Sequence, residues 1–203
     1  MFFVGVDLGQ RQDFSAVAVV EREEQRLAFL PPTFECLHVR YLERVALWTP
    51  YTRVVERVSE IVRHPVMARG CRLVVDATGV GAPVVDLLRS ARLPCRVTAV
   101  TITSGEQAHG RGDEWNVPKK DLLAGLQVLL EDRQLKIHRK LREAERLVRE
   151  LTDIRLRRRS GGRIGMGAEG TGEHDDLALA VALTCWRARR GEVALFGTRS
   201  LGI

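Results

Sequence analysis

The sequence predicts an α/β domain built on one mixed sheet, three antiparallel strands followed by parallel ones, flanked by helices. Two patterns carry that prediction. The first 45 residues hold three apolar runs rich in β-branched side chains. After Gly70 the rhythm becomes strand, helix, strand, which favours parallel pairing through helical crossovers. A third observation bounds the size: 203 residues, with 45% hydrophobic and 29% charged side chains, suit one ordinary globular core.

Taken in order, residues 2–8 form a short apolar run closed by Gly9, as a buried strand requires. Residues 10–14 are polar and turn-like, and 15–20 supply a second strand, hairpin-paired to the first. Residues 34–45 alternate imperfectly and give a third. Pro50 opens a helix over 50–63, with Val54, Val55, Val58, Ile61 and Val62 as its apolar stripe. A strand over 71–75, a helix over 81–91 and a strand over 96–103 follow.

The Gly-rich, polar segment 104–116 reads as a mobile loop. Residues 118–130 make a helix burying Leu122, Leu123, Leu126, Leu129 and Leu130. A short segment, 134–137, precedes a charged amphipathic helix over 141–151. There Glu143, Glu145 and Glu150, interspersed with Arg139, Lys140, Arg142, Arg146 and Arg149, read as a solvated face with i,i+4 pairs. Segments 154–159 and 163–166 flank Ser160-Gly161-Gly162, a hairpin turn. A glycine-rich stretch then leads to a helix over 175–190, apolar on most sides and so deeply buried, with Asp175 at its N-cap. One domain over 1–190 and a C-terminal tail over 191–203 account for the chain.

A net charge of +6 predisposes the protein towards polyanions, without separating DNA from RNA or an acidic membrane. Cys36, Cys71, Cys95 and Cys185 are scattered and form no Cys-x-x-Cys pair. Zinc-ligand spacing and a secretory disulfide framework are therefore absent from the linear pattern, and reduced, buried thiols are expected. The N-terminus lacks a signal-like region and no apolar run has bilayer length, so a cytoplasmic protein without a membrane partner is expected.

Three acidic motifs stand at the tips of apolar elements: Val-Gly-Val-Asp-Leu-Gly around Asp7, Leu-Val-Val-Asp-Ala-Thr-Gly-Val-Gly around Asp76, and His174-Asp175-Asp176-Leu177. Taken alone, Asp7 equally well starts a turn, and actin-like ATPases and sugar kinases open similarly. The glycines after Asp76 suffice to open a helix. Gly-Lys-Ser/Thr does not follow them, which excludes a P-loop. An N-cap role explains one of Asp175 and Asp176 but not both on a buried helix.

Ionised carboxylates at buried strand ends are costly unless paired. Divalent cations would offset the cost, and an all-oxygen set suits Mg²⁺ or Mn²⁺ in a pair that clamps a phosphodiester. The element order is that of a ribonuclease H-like domain, in which the first and fourth strands are neighbours. Asp7 and Asp76 would then lie together, with the last helix bringing Asp175 and Asp176 against them.

These motifs, with Val-Pro-Lys-Lys-Asp-Leu at 117–122, resemble the nuclease domain of phage terminase large subunits over nearly the whole chain. The resemblance implies a ribonuclease H-like fold and cutting of double-stranded DNA during genome packaging with two Mg²⁺ or Mn²⁺ ions. It implies Asp7, Asp76 and one or both of Asp175 and Asp176 as catalytic metal ligands, and His174 as a supporting group. A satisfied helix-start histidine is an equal reading of His174. A separate packaging ATPase, small terminase or portal protein would be partners in the host-cell cytoplasm. The chain lacks the family's N-terminal ATPase motifs, so motor activity is not expected of it alone.

Basic residues fit a DNA role. Arg155, Arg157, Arg158, Arg159 and Arg163 surround the glycine turn, and Lys119 and Lys120 open a helix, an end that favours anions. Aromatic interleaving is sparse, so base stacking is not indicated. The expected function is a two-metal endonuclease on duplex DNA. Its rivals are a RuvC-like junction resolvase, which dimerisation and junction selectivity would mark, and a non-catalytic DNA-binding or assembly module.

Overall fold

Alternation along β1 (Phe2–Asp7) organises the chain. Phe2, Val4 and Val6 enter one core, while Phe3 enters the other. The computed structural model describes residues 1–9, 13–25, 33–79, 81–158, 164–168 and 175–190. In it β1 pairs antiparallel with β2 (Ser15–Gln25) and parallel with β4 (Cys71–Asp76). β3 (Thr33–Val45) continues the antiparallel meander, and β5 (Arg96–Thr103) extends the parallel side. The three antiparallel strands, the parallel partners and the β1–β4 adjacency are the ribonuclease H-like arrangement expected from the sequence.

The full sheet has eight strands in the order β6 (His109–Arg111), β7 (Glu114–Pro118), β5, β4, β1, β2, β3 and β8 (Leu135–Ile137). Segment 104–116, expected to be a mobile loop, instead contains β6 (His109–Arg111) and the start of β7 (Glu114–Pro118). β7 runs parallel to β5, and its Trp115 and Val117 alternate inward beneath a polar exterior. That two-residue period is too short to stand out among the glycines. β8 (Leu135–Ile137) closes the other edge against β3. β2 continues to Gln25, five residues past its expected end, as its acidic residues gain partners across the ladder, such as Arg40 for Glu21.

Helices cover both faces. α1 (Tyr51–Arg63) and α2 (Gly81–Ser90) pack Val54, Val58, Val62, Val84, Val85 and Leu88 against one side. α3 (Lys119–Glu131), α4 (Ala144–Asp153) and α5 (Asp176–Arg189) cover the other. α4 starts later than the 141–151 expected, and a two-stranded sheet of β9 (Ile154–Arg158) and β10 (Ile164–Ala168) follows it, the hairpin expected from the pattern. α5 is buried at every position from Asp176 to Cys185, so it lies inside the molecule. No helix among the described residues is long and apolar enough to cross a membrane.

Candidate active site

The β1–β4 register runs up to Val6 opposite Val75, so the next residues, Asp7 and Asp76, end their strands side by side. Strand alternation turns both towards the face covered by α5. The row continues across the sheet, since Ala16 is opposite Asp7 and Arg44 is opposite Ala16. The small Ala16 leaves room above this row for the start of α5.

Gly5 makes that approach possible. A Cβ added there would stand 2.2 Å from the Ala180 carbonyl oxygen and 2.9 Å from Thr184 Oγ1. Asp176, Ala180 and Thr184 follow at four-residue steps and so share one face of α5. One helical turn from Ala180 back to Asp176 covers about 6 Å. The two residues from Gly5 forward to Asp7 cover about the same distance. The contact at Gly5 therefore sets Asp176 above Asp7, and Asp7, Asp76 and Asp176 are all buried.

Crowding shows in the acidities. Burial first, then the charges of Asp76, Asp176 and Asp175, pushes the Asp7 carboxyl well above the usual carboxylate range, with Lys119 opposing. Burial also raises Asp76, against hydrogen bonds from Thr78 and Asp7 and the charge of Lys119. Thr78 donates to Asp76 Oδ1 from its backbone nitrogen at 2.8 Å and its hydroxyl at 2.5 Å, while the hydroxyl accepts from Ile102 N at 2.8 Å. Gly79, at φ 60°, takes the left-handed turn that follows.

Two cations hold the acids of α5. Arg44 Nη2 lies 2.8 Å from Asp176 Oδ2, with both side chains buried, and its guanidinium stacks 3.7 Å above the Phe14 ring. Lys119 Nζ lies 2.6 Å from Asp175 Oδ2. Asp175 occupies the N-cap position expected of it, yet its side chain makes no capping hydrogen bond. Glu150 Oε2 instead accepts from Ala178 N at 2.9 Å, satisfying the first turn from another helix. The Asp175 carboxylate is thus not spent on the cap.

The expectation that Glu150 faces solvent is wrong. It is only 7% exposed, and burial, reinforced by the charges of Asp176 and Asp175, pushes its carboxyl up to about 7 despite the Ala178 hydrogen bond and Arg44. The reason is helix phase, because Ala144 and Leu147 are buried and Glu150 repeats their three-residue spacing. That spacing was a usable signal. Arg44 could be found only from the lateral register, and Thr78 only from the turn geometry after β4.

Other expected residues are placed as follows. Lys119 joins the acid cluster rather than standing apart from it, and Lys120 pairs with Glu106. Arg155, Arg157 and Arg158 lie on β9, and their side chains are outside the described residues. Arg159, Arg163, His174, the Ser160-Gly161-Gly162 turn and the tail 191–203 also lie outside the described residues. No three of the site's carboxylates bring one oxygen each within 4.8 Å of one another, among the described residues. Arg44 and Lys119 hold Asp176 and Asp175 respectively.

The topology is that of the ribonuclease H-like fold class. Within that class the chain superposes on large terminase nucleases of several phages. The nuclease of thermophilic phage G20c with bound cobalt matches at TM-score 0.69 and 21% identity, over 92% of this chain and 81% of that one. The nuclease domain of Thermus phage P74-26 matches at 0.58 and 20%, over 91% and 77%. The K428A mutant nuclease domain of the large terminase subunit gp2 of bacterial virus Sf6, with manganese and beta-thujaplicinol, matches at 0.63 and 14%, over 91% and 87%. No family model and no curated protein matches the sequence.

Proposed function

We propose that this chain is a metal-dependent endonuclease that hydrolyses double-stranded DNA at the Asp7–Asp76–Asp175–Asp176 cluster, as a terminase-type nuclease. One observation carries the reading: four carboxylates from three elements gather at the C-terminal ends of β1 and β4, beneath the start of α5. The donor set is all oxygen, and like-charge crowding at Asp7 is the condition that divalent cations relieve. Two Mg²⁺ or Mn²⁺ ions would be held by Asp7, Asp76 and Asp175 or Asp176. When bound, such ions activate water and stabilise the leaving oxygen of an in-line displacement.

The chain's own groups prepare that chemistry. Thr78 ties the Asp76 carboxylate to the β4–β5 ladder and limits its rotation. Arg44 pairs with Asp176 in a dry setting, and the positive end of α5 favours negative charge at the same place. Lys119 is partly exposed beside Asp175, so its ammonium can turn to a phosphate oxygen once Asp175 takes a cation. Arg155, Arg157, Arg158, Arg159 and Arg163 are proposed to follow the duplex backbone first, and Lys119 and Lys120 to contact it second. A packaging ATPase, small terminase or portal protein would be the partner that delivers DNA.

The test is incubation with supercoiled and linear duplex in Mg²⁺, Mn²⁺ or EDTA. Nicking and linearisation with either metal and none with EDTA is the expected result. Tight duplex binding with no metal-dependent cutting would refute catalysis, and cutting confined to four-way junctions would point to a resolvase.

A further inference from the structure

Remote from the carboxylates, the β2–β3 ladder gathers three unlike ligand atoms at one point. Glu23 stands opposite Cys36 in the register, and His38, two residues on, shares the Cys36 side of β3. Cys36 Sγ is 2.9 Å from His38 Nε2, His38 Nε2 is 2.8 Å from Glu23 Oε2, and Cys36 Sγ is 3.6 Å from Glu23 Oε2. Glu23 lies seven residues along β2 from Ala16, the neighbour of Asp7, or about 23 Å at strand rise.

Two readings compete for a Cys-His-Glu cluster. A nucleophile relay gives each ring nitrogen its own partner, one for the thiol and one for the carboxylate. Here the same Nε2 meets both, so the imidazole cannot pass a proton between them. Three donors converging on a common point are the arrangement of a metal site. A tetrahedral zinc with bonds of about 2.0–2.3 Å sets its ligand atoms about 3.4–3.6 Å apart. The sulfur–oxygen separation already has that value, and the other two reach it by opening roughly half an ångström, within the reach of side-chain torsions.

We propose that Glu23, Cys36 and His38 bind one Zn²⁺ ion, with solvent in the fourth position. Cys36 loses its thiol proton to solvent as the S–Zn bond forms, and thiolate plus carboxylate then balance the two positive charges. A mixed sulfur, nitrogen and oxygen set separates this site from the oxygen-only cluster, which suits harder ions. The ladder shifts register between Glu23 and Glu24, where backbone pairing alone is irregular. The ion would cross-link β2 and β3 at that irregularity, a structural staple rather than a reaction centre. No Cys-x-x-Cys spacing announces it because its ligands alternate along one strand and cross to the next.

Co²⁺ titration of the chelator-stripped full chain tests this without any nuclease assay. Thiolate-to-cobalt charge transfer reports only a sulfur ligand, so ions at the carboxylates are silent in that band. The expected result is a band saturating at one equivalent, displaced by Zn²⁺, lost in Cys36→Ser and kept in Cys95→Ser. Glu23→Gln and His38→Ala should each weaken Zn²⁺ binding more than about tenfold, since even outer-shell partners are worth about 10–100-fold. Circular dichroism checks that both remain folded. No band in the wild type, a band surviving Cys36→Ser, or unchanged Zn²⁺ affinity in both other variants would overturn the proposal.

Discussion

The two faces of the sheet are built from the same strands and differ in what they bury. On the α1–α2 side the interior is almost wholly aliphatic: Val4, Val6, Leu73 and Val75 meet Val54, Val58, Val84 and Leu88. On the α5 side an equally dry core ends in Asp7, Asp76, Asp176 and Glu150 at one rim, with Arg44 among them. Stability asks only for the first kind of interior, since a buried ion pair is often no better than apolar packing. The second kind places charge where it weakens the metal-free fold, which is the cost expected of a site kept for chemistry. Alternation along β1 and β4 produces both, one residue apart.

Substitutions can break this contrast. The largest effect belongs to Asp7→Asn, which should lower cleavage about 10³-fold or more, as several kcal/mol of transition-state stabilisation is lost. The melting temperature of the metal-free variant should not fall, because one carboxylate leaves a repelling group. A large loss of stability would make Asp7 a structural turn residue. Next comes Arg44→Met, which removes the buried guanidinium paired with Asp176 and should cost about 3–5 kcal/mol without metal. Thermal melts should show Mg²⁺ restoring part of that loss; no rescue would place Asp176 outside the metal site.

Leu88→Ala, on the aliphatic face, should cost about 2–5 kcal/mol while leaving cleavage per folded molecule unchanged. Impaired turnover at equal folded fraction would show that the two faces are not independent. The mildest effect is on pH dependence. Asp7 and Glu150 are weaker acids in the fold than in the unfolded chain, so the native state holds more protons than the unfolded one above the ordinary carboxylate range. The stability slope with pH is then negative, and metal-free stability should decline from about pH 4 until Glu150 has ionised near 7. Glu150→Gln should flatten the decline in melts taken at pH 5 and pH 8, and an unaltered slope would remove Glu150 from the account.

The parts of this molecule readable from sequence are those that depend on local pattern. Apolar runs ending in Asp7 and Asp76 and the helix after Asp175, apolar on most sides, gave the strands, the helix and the shared rim. The missing parts depend on registers that no window contains. Arg44 reaches the site because its row passes through Ala16 to Asp7, three strands that come together only in the sheet. Glu150 was assigned to solvent by its charged neighbours, although the phase of Ala144 and Leu147 turned it inward. The N-cap reading of Asp175 had the right position and the wrong partner, because Glu150 takes a backbone hydrogen bond of that turn and Lys119 takes the carboxylate. Trp115 and Val117 show the same limit at the sheet edge, where two inward residues in a polar segment sufficed for a strand.

Anomalous diffraction from crystals grown with Mn²⁺ tests the central claim most directly. The account predicts two manganese peaks about 3.5–4 Å apart, both within ligand distance of Asp7, one shared with Asp76 and the other with Asp175 or Asp176. Manganese absent from the space between Asp7 and Asp76, at concentrations that saturate binding in solution, would contradict it.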